Sequence, residues 1–195
     1  PALIGEDPTT LTHLRKKVDG TIRFNPFAKA AIEMALWDLA GKATKQPVYQ
    51  LLGGKVREEL PMKMVVGAFP VPQAVALAER FLEWGAKNLK VKVGLNPEED
   101  IARVRAVRQA AGPDIPIGID ANQGWDLSTA RRCLAALSNC NLCFAEQPVP
   151  VTDPQDLVRL RADTHVPIMA DESVFTLQDA HHLTTIGAAD IISVY

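Results

Sequence analysis

The sequence predicts an α/β protein with a parallel β-barrel of the TIM type, and two patterns support the prediction. Apolar runs of strand length alternate with helical patterns from residue 62 onward, as they do where right-handed βαβ units build a parallel sheet. Several of these runs end in an ionisable residue, and β/α barrels carry their functional side chains at the carboxyl ends of the strands. A doubly wound sheet is the alternative, but the first strand-to-helix turn, Gly67-Ala68-Phe69-Pro70, lacks the glycine-rich phosphate turn of that fold.

The part of the chain before the first strand is predicted to contain helices. A short helical pattern covers 10–17, and a longer one covers 26–43 with Asn25 as its N-cap and Pro26 at its first position. An apolar stripe is expected on the longer helix, formed by Ile32, Ala35, Leu36 and Leu39. A short turn of helix within 47–54 ends at two glycines.

Six strands and five intervening helices are predicted in the remainder of the chain. The strands cover 62–67, 89–93, 115–120, 141–146, 166–171 and 189–195. The helices cover 71–84, 97–111, 128–137, 154–162 and 177–186, and Asn96 is expected to cap the second of them. Because a closed barrel of this type has eight units, we expect the chain to be part of a longer protein.

The second predicted strand contains Lys90 and Lys92, which is unusual for a buried strand. Side chains at i and i+2 leave a strand on the same face, so the two ammonium groups should lie together. Like-charge repulsion and burial both disfavour the charged form of a lysine, so anions are expected nearby. A solvated edge strand is the alternative, but the apolar residues between and beside the lysines favour a buried one.

Three acidic residues end the next three strands, namely Asp120, Glu146 and Asp171. Counted from Lys92, they follow at intervals of 28, 26 and 25 residues, so a barrel would direct them into one cavity. Three carboxylates in one cavity repel each other, and a hard divalent cation such as Mg²⁺ would neutralise them. The alternative is that each acid caps the helix after its strand, but the regular interval and the upstream lysines favour a metal site.

Composition restricts the possible partners and the location. A formal net charge of −2 gives no indication of a nucleic-acid or membrane partner. Cys140 and Cys143 could form half of a zinc site or a redox pair, whereas Cys133 has no such spacing. We interpret all three as reduced thiols in a cytoplasmic protein, because the sequence contains no signal peptide and no apolar run of membrane length.

A lysine base beside a metal-bound carboxylate suits the abstraction of a proton α to that carboxylate. The cation would neutralise the charge that develops on the substrate, and Lys92 would take the proton. Lys90 is placed to favour the neutral form of its neighbour through like-charge repulsion. No nucleophile elbow and no P-loop occurs in the sequence.

Several motifs are similar to those of a known family. Residues 28–42, followed by Pro47-Val48 and Leu51-Leu52-Gly53, resemble the first signature of the mandelate racemase/muconate lactonizing enzyme family of the enolase superfamily. Asp120-Ala121-Asn122 and Glu146-Gln147-Pro148 resemble the second signature, with Ala145 where a larger aliphatic residue is usual.

Two further motifs resemble one subgroup of this family, the muconate cycloisomerase-like enzymes. They are the two lysines of the second strand and the turn Ala170-Asp171-Glu172-Ser173. The resemblance implies that residues 59–195 form strands 1–6 of a (β/α)7β barrel. Residues 1–58 would be the C-terminal part of an N-terminal α+β capping domain, with the helix that links it to the barrel.

The resemblance also implies roles for individual residues. The ligands of Mg²⁺ or Mn²⁺ would be Asp120, Glu146 and Asp171. Lys92 would be the general acid/base. Lys90 would lower the pKa of Lys92 and contact the substrate carboxylate. Asn122 and Glu172 would contact these side chains and hold them in position without binding the metal themselves.

One departure from the subgroup concerns the second catalytic lysine, which usually stands at the end of the sixth strand, five residues after an aspartate. Here Tyr195 stands five residues after Asp190, which disfavours a racemase with two lysine bases. Two alternatives remain open: Tyr195 could serve as acid or base, or a lysine from beyond residue 195 could reach into the site. We therefore expect an isomerase or lyase that forms an enolate from a small carboxylate, muconate cycloisomerase-like and homo-oligomeric. The alternatives are an acid-sugar or amino-acid dehydratase or racemase of the same family, or a non-catalytic relative.

Overall fold

The computed structural model describes residues 2–194, and the chain divides into two compact units between Leu60 and Pro61. In its described part the first unit contains the helices α1 (Leu11–Thr21), α2 (Pro26–Thr44) and α3 (Val48–Leu51). A small core forms where Leu14 and Val18 of α1 meet Leu36 of α2.

Two expectations about α2 need correction. Asn25 is in the left-handed region at φ 54° and makes no side-chain cap, because its Nδ2 donates instead to the carbonyl of Arg23 at 2.8 Å. Within the predicted apolar stripe Leu36 is buried, but Ile32 and Leu39 remain 42% and 50% exposed. Pro26 does begin the helix as predicted.

The second unit alternates strands and helices, as the sequence predicts. Its strands are β1 (Met64–Val66), β2 (Leu89–Lys92), β3 (Ile117–Asp120), β4 (Leu142–Glu146), β5 (Ile168–Ala170) and β6 (Ile191–Ile192). Its helices are α4 (Val71–Glu83), α5 (Pro97–Ala111), α6 (Leu127–Ala136), α7 (Pro154–Asp163) and α8 (Leu177–Thr185). A 3-10 turn at Ser138–Cys140, just before β4, was not predicted.

Within residues 2–194 the six strands are parallel and lie in the order β1-β2-β3-β4-β5-β6. Sequential strand order with a helix between neighbouring strands is the arrangement of a TIM-type barrel. The second unit is therefore part of such a barrel, and the predicted fold class is confirmed.

The core of this unit lies between the sheet and its helices, where alternate strand residues such as Val91, Ile119 and Ala145 are buried. The register between β3 and β4 shifts between Ile117 and Gly118. Gly118 and its partner Phe144 face the side of the sheet opposite to this core. There the ring of Phe144 covers Gly118 so closely that an added Cβ would lie 2.2 Å from its Cζ atom.

The remaining expectations concern a cap, the cysteines and the membrane. The side chain of Asn96 caps α5 by accepting from the amides of Glu98 and Glu99, as predicted. All three cysteines are free thiols, and burial raises the pKa of Cys133 to about 11. Among the described residues, no helix combines the length and the apolar character that a membrane span requires.

Candidate metal and proton-transfer site

The strand register brings the predicted site residues to one end of the sheet. Lys92 is the register partner of Asp120, and Asp120 is the register partner of Glu146. Asp171 directly follows β5. Because neighbouring parallel strands end at the same edge, residues from four separate segments lie at one edge of the sheet.

Lys90 lies between two of the predicted metal ligands. Its Nζ donates to Asp120 Oδ2 at 2.8 Å and to Glu146 Oε1 at 2.9 Å. All three residues are buried, with exposures of 7%, 1% and 4% respectively. Burial alone would lower the pKa of Lys90, but its hydrogen bonds and charge interactions with both carboxylates outweigh burial and raise the pKa.

Lys92 shares one of these acids and reaches a neighbouring amide. Its Nζ donates to Asp120 Oδ2 at 2.6 Å and to Asn122 Oδ1 at 2.5 Å. Burial would raise the pKa of Asp120, but the hydrogen bonds from Lys90 and Lys92 outweigh it and hold that pKa below its ordinary value. About a third of the Lys92 side chain is exposed, at 30%, so it can meet a substrate while Lys90 is enclosed.

Asn122 and Glu172, the predicted supporting residues, are hydrogen-bonded to each other. Asn122 Nδ2 donates to Glu172 Oε1 at 2.8 Å, and the amide of Asn122 donates to Asp120 Oδ1 at 3.0 Å. Asn122 holds a left-handed backbone with φ 43°, a conformation that is uncommon outside glycine and that asparagine adopts more readily than most residues. The turn after β3 therefore fixes Asn122 between Lys92 and the loop after β5.

Asp171 is buried, and its position is set by a residue that the sequence did not single out for this purpose. Gln147 is fully buried, and its Oε1 accepts from the amides of Asp171 and Ser173 at 3.0 and 3.1 Å. Its Nε2 donates to the carbonyl of Val149 at 2.9 Å. This amide therefore connects the loop after β4 to the loop after β5, which carries the third predicted ligand.

A third ammonium group, that of Lys63, was missed by the sequence reasoning. Its Nζ donates to Glu146 Oε2 at 3.1 Å and lies 5.0 Å from the centre of the Phe144 ring. A signal was present in the strand period, because Val65 is the register partner of Lys90 and Lys63 lies two residues before it. A lysine next to a strand is commonly solvated, so the two-residue period of the strand was not sufficient to identify Lys63 as a site residue.

The donor set fits a hard divalent cation in its chemistry. Asp120, Glu146 and Asp171 are all buried oxygen donors, the ligand type that Mg²⁺ prefers. Among the described polar atoms, buried Glu172 Oε2 accepts no hydrogen bond, whereas Oε1 of the same carboxylate accepts from Asn122. No group of three or more His, Cys, Asp or Glu residues within 2–194 is arranged to hold an ion, and the Lys90 ammonium lies between two of the acids.

Tyr195 lies outside the described residues, so its predicted role stays a prediction. Asp190, five residues earlier, is occupied by structural contacts. Its Oδ2 accepts from the amide of Ile168 at 2.9 Å, and its Oδ1 accepts from Arg161 Nε at 2.7 Å. These bonds fix the start of β6 against β5 and α7.

Comparison with known proteins places the chain in a family. Residues 73–195 match the family profile described as "Enolase C-terminal domain-like". Residues 1–53 match the profile described as "Mandelate racemase / muconate lactonizing enzyme, N-terminal domain". The barrel and its strand-end acids thus belong to the enolase superfamily. Within it, the chain belongs to the mandelate racemase/muconate lactonizing enzyme family, as the resemblance predicted.

Similar proteins within the family have different reactions. The chain is 36% identical to the N-succinyl-L-Arg/Lys racemase of Bacillus cereus, over 100% of its own length and 53% of the relative. It is 35% identical to muconate cycloisomerase 1 of Pseudomonas putida, over 100% of its own length and 52% of the relative.

A solved structure gives the same result at the level of the fold. It is the dipeptide epimerase of Cytophaga hutchinsonii complexed with Mg and the dipeptide D-Ala-L-Val. It superposes with a TM-score of 0.91 at 35% identity, covering 98% of this chain and 52% of that one. The chain thus spans about half the length of the relatives it matches.

Proposed function

We propose that this chain carries the proton-transfer centre of a divalent-metal-dependent isomerase or lyase, which moves a proton α to a substrate carboxylate through an enolate. The observation that carries the proposal is the pair of lysines on β2, hydrogen-bonded to acids that end β3 and β4. The relatives support it at the level of the reaction class, because they include a racemase, an epimerase and a cycloisomerase.

In this proposal Lys92 is the group that takes or gives the proton. It is the more exposed of the two strand lysines, and a base must come within hydrogen-bond reach of the proton that it moves. Asn122 accepts from its Nζ and holds the ammonium at the strand end. Lys90, enclosed between two carboxylates, keeps its positive charge and orients Asp120 and Glu146.

Asp120, Glu146 and Asp171 are the residues that would hold Mg²⁺ or Mn²⁺. When bound, the cation supplies a positive charge that stabilises the carboxylate side of an enolate. The proposal has support from the magnesium complex of the similar dipeptide epimerase and from the buried, oxygen-only donors of this chain. The Lys90 ammonium would compete with a cation for the oxygens of Asp120 and Glu146.

A muconate cycloisomerase-like reaction is our narrower proposal for the substrate. In that reaction one carboxylate of the substrate adds to a double bond, and the resulting enolate takes a proton from Lys92. A single lysine is sufficient for this chemistry, which suits a sixth strand that lacks the usual lysine at position 195. The 35% identity to muconate cycloisomerase 1 supports it.

Epimerisation or racemisation of an amino-acid derivative is the second candidate. It is favoured by the N-succinyl-L-Arg/Lys racemase, whose 36% identity is as high as that of the cycloisomerase. This reaction removes a proton from one face of the α-carbon and returns one to the other face. It therefore requires a second acid or base across the cavity from Lys92.

The test is proton exchange in D2O with magnesium, using the complete protein and three probes: muconate, N-succinyl-L-lysine and the dipeptide D-Ala-L-Val. Loss of the diene absorbance with one deuterium incorporated would support the cycloisomerase. Deuterium at the α-carbon of an amino-acid derivative would support the second candidate. An acid-sugar panel covers the dehydratases, and a protein that exchanges no α-proton in any arm would be a non-catalytic relative, against our proposal.

A further inference from the structure

An ion pair outside the predicted site, Asp100 with Arg103, is almost completely buried behind β2. Both residues lie on α5, and they are 0% and 2% exposed. Arg103 Nη1 donates to Asp100 Oδ1 at 2.7 Å. Removing two charges from water is costly, and an ion pair of this kind is weak evidence of stabilisation by itself. The contacts of its remaining polar atoms indicate another purpose.

The guanidinium group of Arg103 holds two main-chain carbonyls. Its Nε donates to the carbonyl of Phe69, in the loop after β1, at 2.6 Å. Its Nη1 donates to the carbonyl of Lys92, the last residue of β2, at 3.2 Å. Arg103 therefore fixes the main chain of Lys92, the predicted base, from the helix side of the sheet.

The carboxylate of Asp100 holds the loops after β2 and β3. Its Oδ2 accepts from the amides of Gly94 and Leu95 at 2.8 and 3.2 Å. The same oxygen accepts from the indole Nε1 of Trp125 at 3.2 Å. Trp125 is 2% exposed and lies in the loop after β3. One ion pair thus connects the carboxyl ends of three neighbouring strands.

Glycines allow these two loops to approach each other very closely. A Cβ on Gly94 would lie 2.3 Å from the carbonyl oxygen of Ala121, and one on Gly124 would lie 2.1 Å from the carbonyl oxygen of Gly94. Because backbone atoms of the two loops are in close contact, a shift of the β2 loop toward the β3 loop has to move the β3 loop as well. The β3 loop includes Asn122, which holds the Lys92 ammonium.

We propose that Asp100 and Arg103 are positioning residues for proton transfer, which fix Lys92 and Asn122 relative to Asp120 by anchoring the loops after β1, β2 and β3. This inference rests on the proposed function, because it gives Lys92 the role of acid or base. Misplacing a reacting group by about 1 Å can cost about 10²-fold in rate. A positioning role therefore predicts an effect on turnover larger than its effect on folding.

Arg108, on the same helix, provides a matched control. It also donates to main-chain carbonyls, those of Cys140 and Ile115 at 2.8 and 2.7 Å, but these precede β4 and β3 at the opposite end of the strands. Arg103→Lys and Arg108→Lys both keep the charge and lose the planar fork that reaches two carbonyls together. Only the first of them touches the end of the sheet that carries Lys92.

The experiment uses the complete proteins in D2O with magnesium and measures initial rates as functions of probe concentration. For muconate the rate is the loss of diene absorbance with one deuterium incorporated in the product, and for N-succinyl-L-lysine and D-Ala-L-Val it is deuterium incorporation at the α-carbon. We expect Arg103→Lys to lower the rate at saturating probe by about 10²-fold with little change in KM. Arg108→Lys should keep the wild-type rate while lowering the melting temperature by a similar amount. Without any probe, amide hydrogen exchange should accelerate at Gly94 and Leu95 in Arg103→Lys and stay unchanged there in Arg108→Lys.

Trp125→Phe keeps the inference testable if Arg103→Lys does not fold. It removes one donor to Asp100 and retains an aromatic ring, and Trp84→Phe on the exposed end of α4 is its control. A smaller loss in the same direction is expected for Trp125→Phe alone. A wild-type rate in the folded Arg103→Lys protein, or equal losses in the two arginine variants, would overturn the positioning role alone. A wild-type protein inactive toward every probe would overturn the proposed function as well.

Discussion

Replacing Lys90 with methionine should destabilise the metal-free protein and make magnesium a stronger stabiliser than it is for the wild type. The change removes an ammonium group that pairs with Asp120 and Glu146 at once. Methionine retains the length and the apolar packing of the side chain. The two carboxylates would remain buried with less positive charge between them.

The size of the effect follows from the distances. Since both oxygens lie on one ammonium group at 2.8 and 2.9 Å, they are at most about 5.7 Å apart. Their repulsion at an effective dielectric constant of 20 is therefore at least about 3 kcal/mol. Breaking a buried ion pair typically costs about 3–5 kcal/mol. Lys92 and Lys63 still pair with one acid each, so we expect a loss near the lower value.

Magnesium should recover most of this loss if it binds between the same acids. A ligand at 100 times its dissociation constant stabilises the folded state by about 2.7 kcal/mol. Thermal unfolding of wild type and Lys90→Met, with and without magnesium, measures the difference, because about 1 kcal/mol shifts the melting temperature by roughly 2–4 °C in a chain of this size.

Lys63→Met is the matched control for this experiment. Its ammonium pairs with Glu146 alone, and 41% of its side chain is exposed, so solvent screens the interaction and the loss should be smaller. Equal stabilisation of wild type and Lys90→Met by magnesium would show that the ammonium and the cation do not compete for these oxygens. Binding of a cation through Asp120 Oδ2 and Glu146 Oε1, the two oxygens that Lys90 contacts, would then be excluded.

Three further changes test the site and its surroundings. Lys92→Ala should lower α-proton exchange by about 10²–10⁴-fold in a folded protein, and undiminished exchange would move the base to another strand. Glu146→Gln retains the shape but removes an anionic oxygen, so magnesium should raise its melting temperature less than that of wild type, while circular dichroism stays unchanged. Gly118→Ala should cost about 1–3 kcal/mol of unfolding free energy, because its Cβ would meet the Phe144 ring; Phe144→Leu in the same chain should restore part of it, as urea unfolding would show.

The elements of the barrel could be predicted because local signals and tertiary packing agree there. Asn96 and Pro97 start α5 where the sequence places it, and the helix ends at Ala111 before a glycine. The strands are shorter than their apolar runs, since residues such as Ile115 and Val166 are apolar but lie before the ladder begins. Asn25 shows the opposite case, because its residue type favours a cap while the backbone adopts a left-handed turn that directs its side chain to Arg23.

The candidate site could be predicted as a set of strand ends, because the strand period and the regular interval depend on sequence position alone. The supporting contacts could not be predicted in the same way. Gln147 and the pair of Asp100 with Arg103 act through main-chain groups of other loops. Every residue type has a main-chain carbonyl and nearly every type has an amide. The sequence therefore does not show which residues Gln147, Asp100 and Arg103 will contact.

The charge balance of the site shows where sequence reasoning reaches its limit. From the sequence, Lys90 and Lys92 are two like charges whose burial and repulsion should both favour the neutral amine. In the structure, Lys90 has two carboxylates within hydrogen-bond distance, and their attraction outweighs burial and raises its pKa. The sign of that balance depends on distances to residues 30 and 56 positions away in the chain, which the strand register fixes and the order of residues does not state. The same two carboxylates are the proposed metal ligands. In the structure the Lys90 ammonium therefore supplies, next to Asp120 and Glu146, the positive charge that a bound cation would supply.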